Sequence, residues 1–311
     1  MADPVGRWAQ DIRLLRLHGR TVSPHAALVL ARFACDAGLS VVWGGGGFAL
    51  ICTGAIPAHL YHQMRTLLPA ASGLAAFAGL AAIPIQTAEI VSDWAVALDP
   101  DLLNSVAFST NVGLALLIRA LTCSVAFAVF LAGYRRAAIL LSGLALAEAA
   151  LLGHAAESWG PAGVLKISAE AIHILAGTAW LGALVPFLVL MQLARQPDLR
   201  AEAVKSLRRF SRIGHGAVAL VLASGLANSL QILGHLPADM RSAYQEKLAL
   251  KMAVVLSMTV IATANRYGAV PMQRKYPQLA NRLLLLGSSL EIVLGLTAIA
   301  LVASLGLDDP T

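Results

Sequence analysis

The chain has 311 residues, 58% of them hydrophobic and 13% charged, with a mean hydropathy of +0.73. A soluble domain carries roughly a quarter charged residues, so half that share leaves too few charges to coat a water-facing surface, and a soluble domain is excluded. The net charge of +6 does not point to nucleic acid, because the basic residues sit between apolar stretches, as Lys and Arg retained on the cytoplasmic side of a membrane do.

Each membrane span needs about 20 apolar residues. Apolar runs at 26–53, 67–90, 109–131, 137–153, 161–191, 213–233, 249–265 and 283–305 predict an all-α polytopic membrane protein, a bundle of about eight transmembrane helices. Their stock of Ala, Leu, Val and Gly suits packed membrane helices, where small residues let backbones approach. Residues 1–25 read as a basic N-terminal tail that could lie on the membrane as an interfacial helix. Met1 to Arg20 has no apolar core, so no cleavable signal peptide is expected. Residues 26–305 read as a single transmembrane domain and 306–311 as a short C-terminal tail. Pro57, Gly133, Gly160, Pro197, Pro237 and Pro271 fall at or near the breaks between runs, where they suit turns. Val91 to Ala107 carries Asp93, Asp99 and Asp101 and reads as an interfacial loop or short helix. Cys35, Cys52 and Cys123 lie in or at the ends of apolar stretches with no paired loop spacing, so they do not report a redox compartment.

Alternate loops differ in positive charge. One side collects Arg65, Arg135, Arg136, Arg195, Arg200, Lys205, Arg208, Arg209, Arg212, Arg266, Arg274, Lys275 and Arg282, against seven Lys and Arg on the other. The richer side is expected to be cytoplasmic, which puts both termini outside. The four Arg of the N-terminal tail oppose that orientation, and a surface-lying helix or a different span count would reconcile them.

Ionisable residues inside spans suggest function by default. In the first span, Arg32 and Asp36 are four apart, share a face and can pair as a structural ion pair. Arg119 in the third span can be neutralised by Glu89 or by Glu148. In the fifth span Lys166, Glu170, His173, Gly177 and Trp180 follow spacings of four, three, four and three, so they form one helical stripe. That stripe is expected to face the bundle interior or a wet cavity. His154 ends the fourth span and could share an outward-opening site with His173, with His235 and Met240 in reach from the loop after the sixth span. Imidazole and thioether suit copper, thioether especially Cu(I). Lys251 in the seventh span needs a partner, either Glu291 or Glu170. His59, His62 and Met64 form an H-x-x-H-x-M cluster that is a candidate exit site for a soft metal or a solvated loop cluster, and His215 is equally open. There is no phosphate-binding loop, no paired Cys motif, no H-E-x-x-H and no nucleophile with a plausible base, so an enzyme is not expected.

The sequence resembles the CopD family of copper-resistance membrane proteins. The likeness rests on Gly153-His154-Ala155, on His173-Ile-Leu-Ala-Gly-Thr-Ala-Trp180-Leu-Gly182, on Arg209-Phe210-Ser211 and Ser224-Gly225, on Tyr244 and Lys251 with Asn265-Arg266, and on Glu291. The resemblance implies a bacterial inner-membrane protein of copper homeostasis that moves copper from the periplasm towards the cytoplasm, alongside a CopC-like periplasmic partner. It also implies a copper-handling role for His154 and His173, with Glu170, Trp180, Lys251 and Glu291 lining the path or tuning its charge. Two other readings remain: a scaffold that docks a periplasmic copper carrier without flux, and a b-type haem electron carrier using His154, His173 or His215. The chain departs from some members in its Arg-rich tail and in lacking a Met-rich outer loop.

Overall fold

The computed structural model describes residues 22–152, 160–237 and 239–308, and every regular element among them is helical. In chain order these are α1 (Pro24–Ile51), α2 (Ile56–Gln63), α3 (Leu67–Val91), α4 (Pro100–Ser109), α5 (Asn111–Leu131), α6 (Arg135–Ala147), α7 (Gly160–Leu193), α8 (Arg200–Leu233), α9 (Ala243–Met272) and α10 (Pro277–Leu305). Local chemistry fixes many of the ends. Ser23, Asp99, Thr110 and Ser242 each accept a backbone N–H at a helix start, and Pro24 and Pro100 follow two of those caps, where a missing N–H costs nothing. The acidic stretch after α3 forms a single 3-10 turn, Trp94–Val96, and then α4, so it is the short helix that its composition allows.

Seven helices, α1, α3, α5, α7, α8, α9 and α10, are long and apolar enough to cross a membrane. The fourth predicted span forms as α6, 13 residues, continued by the 3-10 turn Glu148–Leu151. At 1.5 Å and 2.0 Å per residue the two pieces reach roughly 27 Å, close to the hydrocarbon thickness of about 30 Å. Helix direction shows that this shorter piece counts as a crossing. Trp43 Nε1 donates to Leu175 O at 3.1 Å, while Phe48 and Cys52 pack with Ala183, Leu190 and Leu193. α1 and α7 therefore run parallel, which requires three crossings between them: α3, α5 and α6.

The described ends meet on one face. Arg32 NH1 in the early part of α1 donates to Gly306 O, just past α10, at 3.0 Å, as an even number of crossings demands. The opposite face carries the basic turns after α1, α5, α7 and α9. Outward-facing apolar side chains such as Phe77, Leu121, Val260 and Leu286 stand 64% to 72% exposed. Such a surface suits lipid and not water.

α1 meets α7 unusually closely. Residues 41–46 of α1 form a π-helical turn ending in three glycines. A Cβ on Gly44 would stand 2.6 Å from Thr178 O, and one on Gly182 would stand 2.0 Å from Ser40 O. Only glycine on both sides permits this backbone-to-backbone approach, and it presses α7 against the first half of the bundle.

Candidate functional site

Pressed on one face by α1, α7 turns its polar stripe to the other. Glu170, His173, Gly177 and Trp180 all line a cavity of about 240 Å³ towards the face that holds the described ends. Its far wall is Asn228, Tyr244, Lys251 and Met258 from α8 and α9, and its near wall includes Arg32, Asp36 and Arg119 from α1 and α5.

His173 is held by its Nδ1. That nitrogen lies 3.1 Å from Val221 O and 3.0 Å from Ser224 Oγ. Because Val221 O can only accept, the network assigns the proton to Nδ1 and leaves Nε2 with its lone pair. Ser224 Oγ spends its own hydrogen on Leu220 O at 2.5 Å, so it also accepts from the ring. A backbone contact that fixes the tautomer and aims the other nitrogen is the arrangement seen around metal-binding imidazoles. Gly225 faces the ring, and a Cβ there would lie 3.0 Å from His173 Cε1.

One turn earlier, Glu170 accepts a 2.5 Å hydrogen bond from Asn228 Nδ2. Lys251 lies in the same cavity and within electrostatic reach of Glu170, so of its two expected partners Glu170 is the one that shares its space. Glu291 belongs elsewhere. Its carboxylate accepts from Asn265 Nδ2 at 2.9 Å and from the Trp180 indole.

Glu291 lines a second, larger cavity of about 1160 Å³ that opens towards the basic face between α7, α8, α9 and α10. Trp180 lines both cavities, so its indole, hydrogen-bonded to Glu291, stands between them. Arg195, Arg200, Arg208, Arg266 and Arg274 surround the mouth of the larger cavity. His215, also on its wall, lies with Nε2 3.0 Å from Tyr267 Oη and Nδ1 2.5 Å from Ser211 O.

Other polar residues settle differently from the sequence expectation. Asp36 pairs with Arg119 across helices, not with Arg32 on its own helix; the reach from α5 also explains why neither Glu89 nor Glu148 is Arg119's ion-pair partner. Arg119 Nε further donates to Ala145 O at 3.0 Å. Glu89 instead meets His25 Nδ1 at 2.9 Å, and Glu148 accepts from Thr122 Oγ1 at 2.9 Å. The H-x-x-H-x-M cluster does not converge: His59 and His62 are exposed on α2, whereas Met64 is 1% exposed and its methyl packs beside Gly45. Two residues, about 200° round the helix at 3.6 residues per turn, separate Met64 from His62, and the apolar thioether takes the core side. His235 and Met240 are exposed in the α8–α9 connection and do not line the His173 cavity; His235 Nδ1 is satisfied locally at 2.7 Å from Leu236 O. His154 lies outside the described residues. No cluster of three His, Cys, Asp or Glu suited to a metal occurs among the described residues.

Asn265 is a site residue that the sequence analysis names only within the family likeness and gives no role. It sits at the start of a π-helical turn, Asn265–Ala269, and the absence of a side chain at Gly287 makes room for its amide. An amide with a carboxylate on the neighbouring apolar span was the available signal.

Two family models match the chain in order. One described as copper resistance protein D-like, N-terminal domain, covers residues 23–164, and one described as copper resistance protein D covers residues 204–305. The chain is 36% identical over 159 residues to the inner membrane protein YebZ of Escherichia coli (strain K12), covering 51% of this chain and 54% of the relative. It is 33% identical over 135 residues to copper resistance protein D of Pseudomonas syringae pv. tomato, covering 42% and 44%. It is 29% identical over 216 residues to copper transport protein CutJ of Bacillus subtilis (strain 168), covering 65% and 39%. The matched stretch thus spans about half or less of each curated relative's length. No solved structure matches the chain.

Proposed function

Because the chain belongs to the copper resistance protein D family, we propose that it moves copper ions across a bacterial inner membrane, from the periplasm towards the cytoplasm. The observation that carries this reading is the pair of cavities meeting at Trp180. A metal ion is the cargo, and the residues divide its passage into stages.

The basic face is taken as cytoplasmic by its excess of Lys and Arg, so the cavity with His173 opens outward and both described ends are periplasmic. There His173 Nε2 offers a neutral lone pair and Glu170 a negative charge, while Lys251 opposes a second cation. A single imidazole beside one carboxylate holds copper loosely, which suits passage better than storage. Beyond it, the Trp180 indole closes the way inward while it donates to Glu291. Release of that hydrogen bond would swing the indole and present the Glu291 carboxylate to the cargo. The arginines around the inner mouth then repel a cation, so copper does not dwell there. His154 joins the outer end of this path by resemblance alone. A CopC-like periplasmic carrier is the expected donor, and the bilayer is the only other partner that the function needs.

The test is copper accumulation, by elemental analysis, in vesicles reconstituted with the purified chain. Wild type is expected to load copper above empty vesicles. His173→Ala should lower the rate by about a hundredfold or more, and Ser224→Ala, which removes one of the two contacts on the ring, by a smaller factor of roughly tenfold, the low end for a lost supporting contact. Equal accumulation in wild type and His173→Ala would remove His173 from the path. Binding of a periplasmic copper carrier without any flux would move the function to a docking scaffold. An intense Soret band from the purified protein would replace both with a haem protein.

A further inference from the structure

Cys35 on α1 and Cys123 on α5 are far apart in sequence, yet their Sγ atoms stand 3.9 Å apart. Both are free thiols, and the residues are 3% and 1% exposed. Leu39, Ala75, Ala76, Ala78, Ala145 and Leu146 enclose them. These side chains offer no nitrogen or oxygen, and no third His, Cys, Asp or Glu among the described residues completes a metal cluster with the pair, so two sulfurs are the side-chain donors; the Asp36 and Glu148 carboxylates lie within electrostatic reach only.

Two sulfurs select strongly among metals. Zn²⁺ in a structural site takes four ligands, and Cu(II) prefers nitrogen and oxygen in a tetragonal set. Soft thiolates choose Cu(I), whose filled d shell tolerates two ligands in a line. With metal–sulfur bonds of about 2.2–2.3 Å, a bridged pair needs its sulfurs to part by only roughly 0.6 Å. A disulfide at about 2.05 Å would require them to close by much more, through helices fixed by close packing.

Charge points the same way. A monovalent ion between two thiolates carries one net negative charge. Arg32, one turn before Cys35 and 9% exposed, donates from NH1 to Gly306 O, but its buried Nε–H has no partner. Its electrostatic neighbours are Asp36 and Arg119, so it bears on the pair through them. Arg119, already paired with Asp36, also lies within electrostatic reach of both sulfurs. Arg32, Asp36 and Arg119 line the outer cavity, so the pair sits one layer behind the wall of the proposed path.

We propose that Cys35 and Cys123 form a two-coordinate thiolate site for a monovalent d¹⁰ metal ion, which is Cu(I) if the copper reading above is correct. On binding, each thiol loses its proton, two metal–sulfur bonds form, the metal keeps its oxidation state, and two protons pass to solvent. The site holds the ion beside the path instead of on it.

The test uses the full chain, purified in detergent under reducing, oxygen-free conditions and loaded with Ag(I) alone or with Cu(I) against a competing chelator. X-ray absorption on wild type loaded with no more than one equivalent, which the tighter thiolate pair takes before the loose site at His173, needs no variant and is expected to show two sulfur neighbours and no others. Cys35→Ala and Cys123→Ala should each bind one equivalent less than wild type, while Cys52→Ala keeps that equivalent. A nitrogen- or oxygen-dominated spectrum, or unchanged stoichiometry in both cysteine variants, overturns the site. So does a native mass lighter by two hydrogens with both cysteines protected from alkylation, since the pair would then be a disulfide. Loss of copper flux as a function would leave the Ag(I) result standing, so the two claims fail separately.

Discussion

Among the seven long helices, the first four and the last three are built to different densities. In the hydrophobic windows of α1, α3, α5 and α7, between 33% and 50% of residues are buried within the protein. In α8, α9 and α10 the share is 11% to 17%. The dense half places its charges in fixed partnerships: Asp36 with Arg119, and Arg119 again with Ala145 O. The open half surrounds two cavities and leaves its ionisable groups facing them. α7 belongs to both, with Gly182 against α1 on one face and His173 and Trp180 on the cavities on the other. The difference teaches that a buried charge here is not by itself a sign of function, since Asp36 and Arg119 line the outer cavity too, but as a closed ion pair; a charge beside open volume outside such a pair is.

The largest test of that contrast is to break a charge in each half. Asp36→Ala leaves Arg119 buried without its ion partner, and removing one member of a buried pair costs roughly 3–5 kcal/mol. His173→Ala removes only a hydrogen-bonded ring at a cavity wall, worth about 0.5–1.5 kcal/mol. Thermal unfolding in detergent should therefore show a large drop for Asp36→Ala and a small one for His173→Ala, while copper flux ranks them by function. A stability loss for His173→Ala as large as that for Asp36→Ala would make His173 a structural residue.

Much of this contrast is not legible in the sequence. The spans, their number and the face of the α7 stripe follow from hydropathy and spacing, because the period of a helix fixes which side chains share a side. Partnerships across helices do not follow. Asp36 is four residues from Arg32 and invites an intrahelical pair, yet Arg119 reaches it from α5, a choice made by packing that no local spacing encodes. The same holds for Met64, which sequence groups with His59 and His62 but which the fold turns into the core. The short fourth crossing was readable as a span, although its helix stops at Ala147 and finishes as a 3-10 turn. The two cavities, and Trp180 between them, exist only in three dimensions.

Glycine substitutions on α7 sharpen the comparison at a smaller scale. Gly182→Ala would set a methyl 2.0 Å from Ser40 O, and overpacking of this kind typically costs about 1–3 kcal/mol. Gly177→Ala, on the cavity side, would meet nothing closer than a Val221 methyl at 3.8 Å, so its effect should stay within roughly 0.5 kcal/mol. Unfolding midpoints of the two variants give the answer. Equal losses would mean that the two faces of α7 are packed alike.

The smallest expected effect on flux is also the most specific. Gly225→Ala brings a methyl to 3.0 Å from His173 Cε1, so the ring must give by a few tenths of an ångström while its Nδ1 contacts to Val221 O and Ser224 Oγ pull it back. Open cavity on the other side lets it move, so the stability change should remain below about 1 kcal/mol. The direction of Nε2 changes with the ring. If that lone pair receives the metal, copper flux should fall by a factor of roughly two to five, since even a 1 Å misplacement of a positioned group costs on the order of a hundredfold. Unchanged flux would mean that His173 lines the path without touching the ion. Unchanged flux with a clear fall in unfolding temperature would return this histidine to the category that Asp36 and Arg119 occupy, a polar group kept for the packing of the bundle.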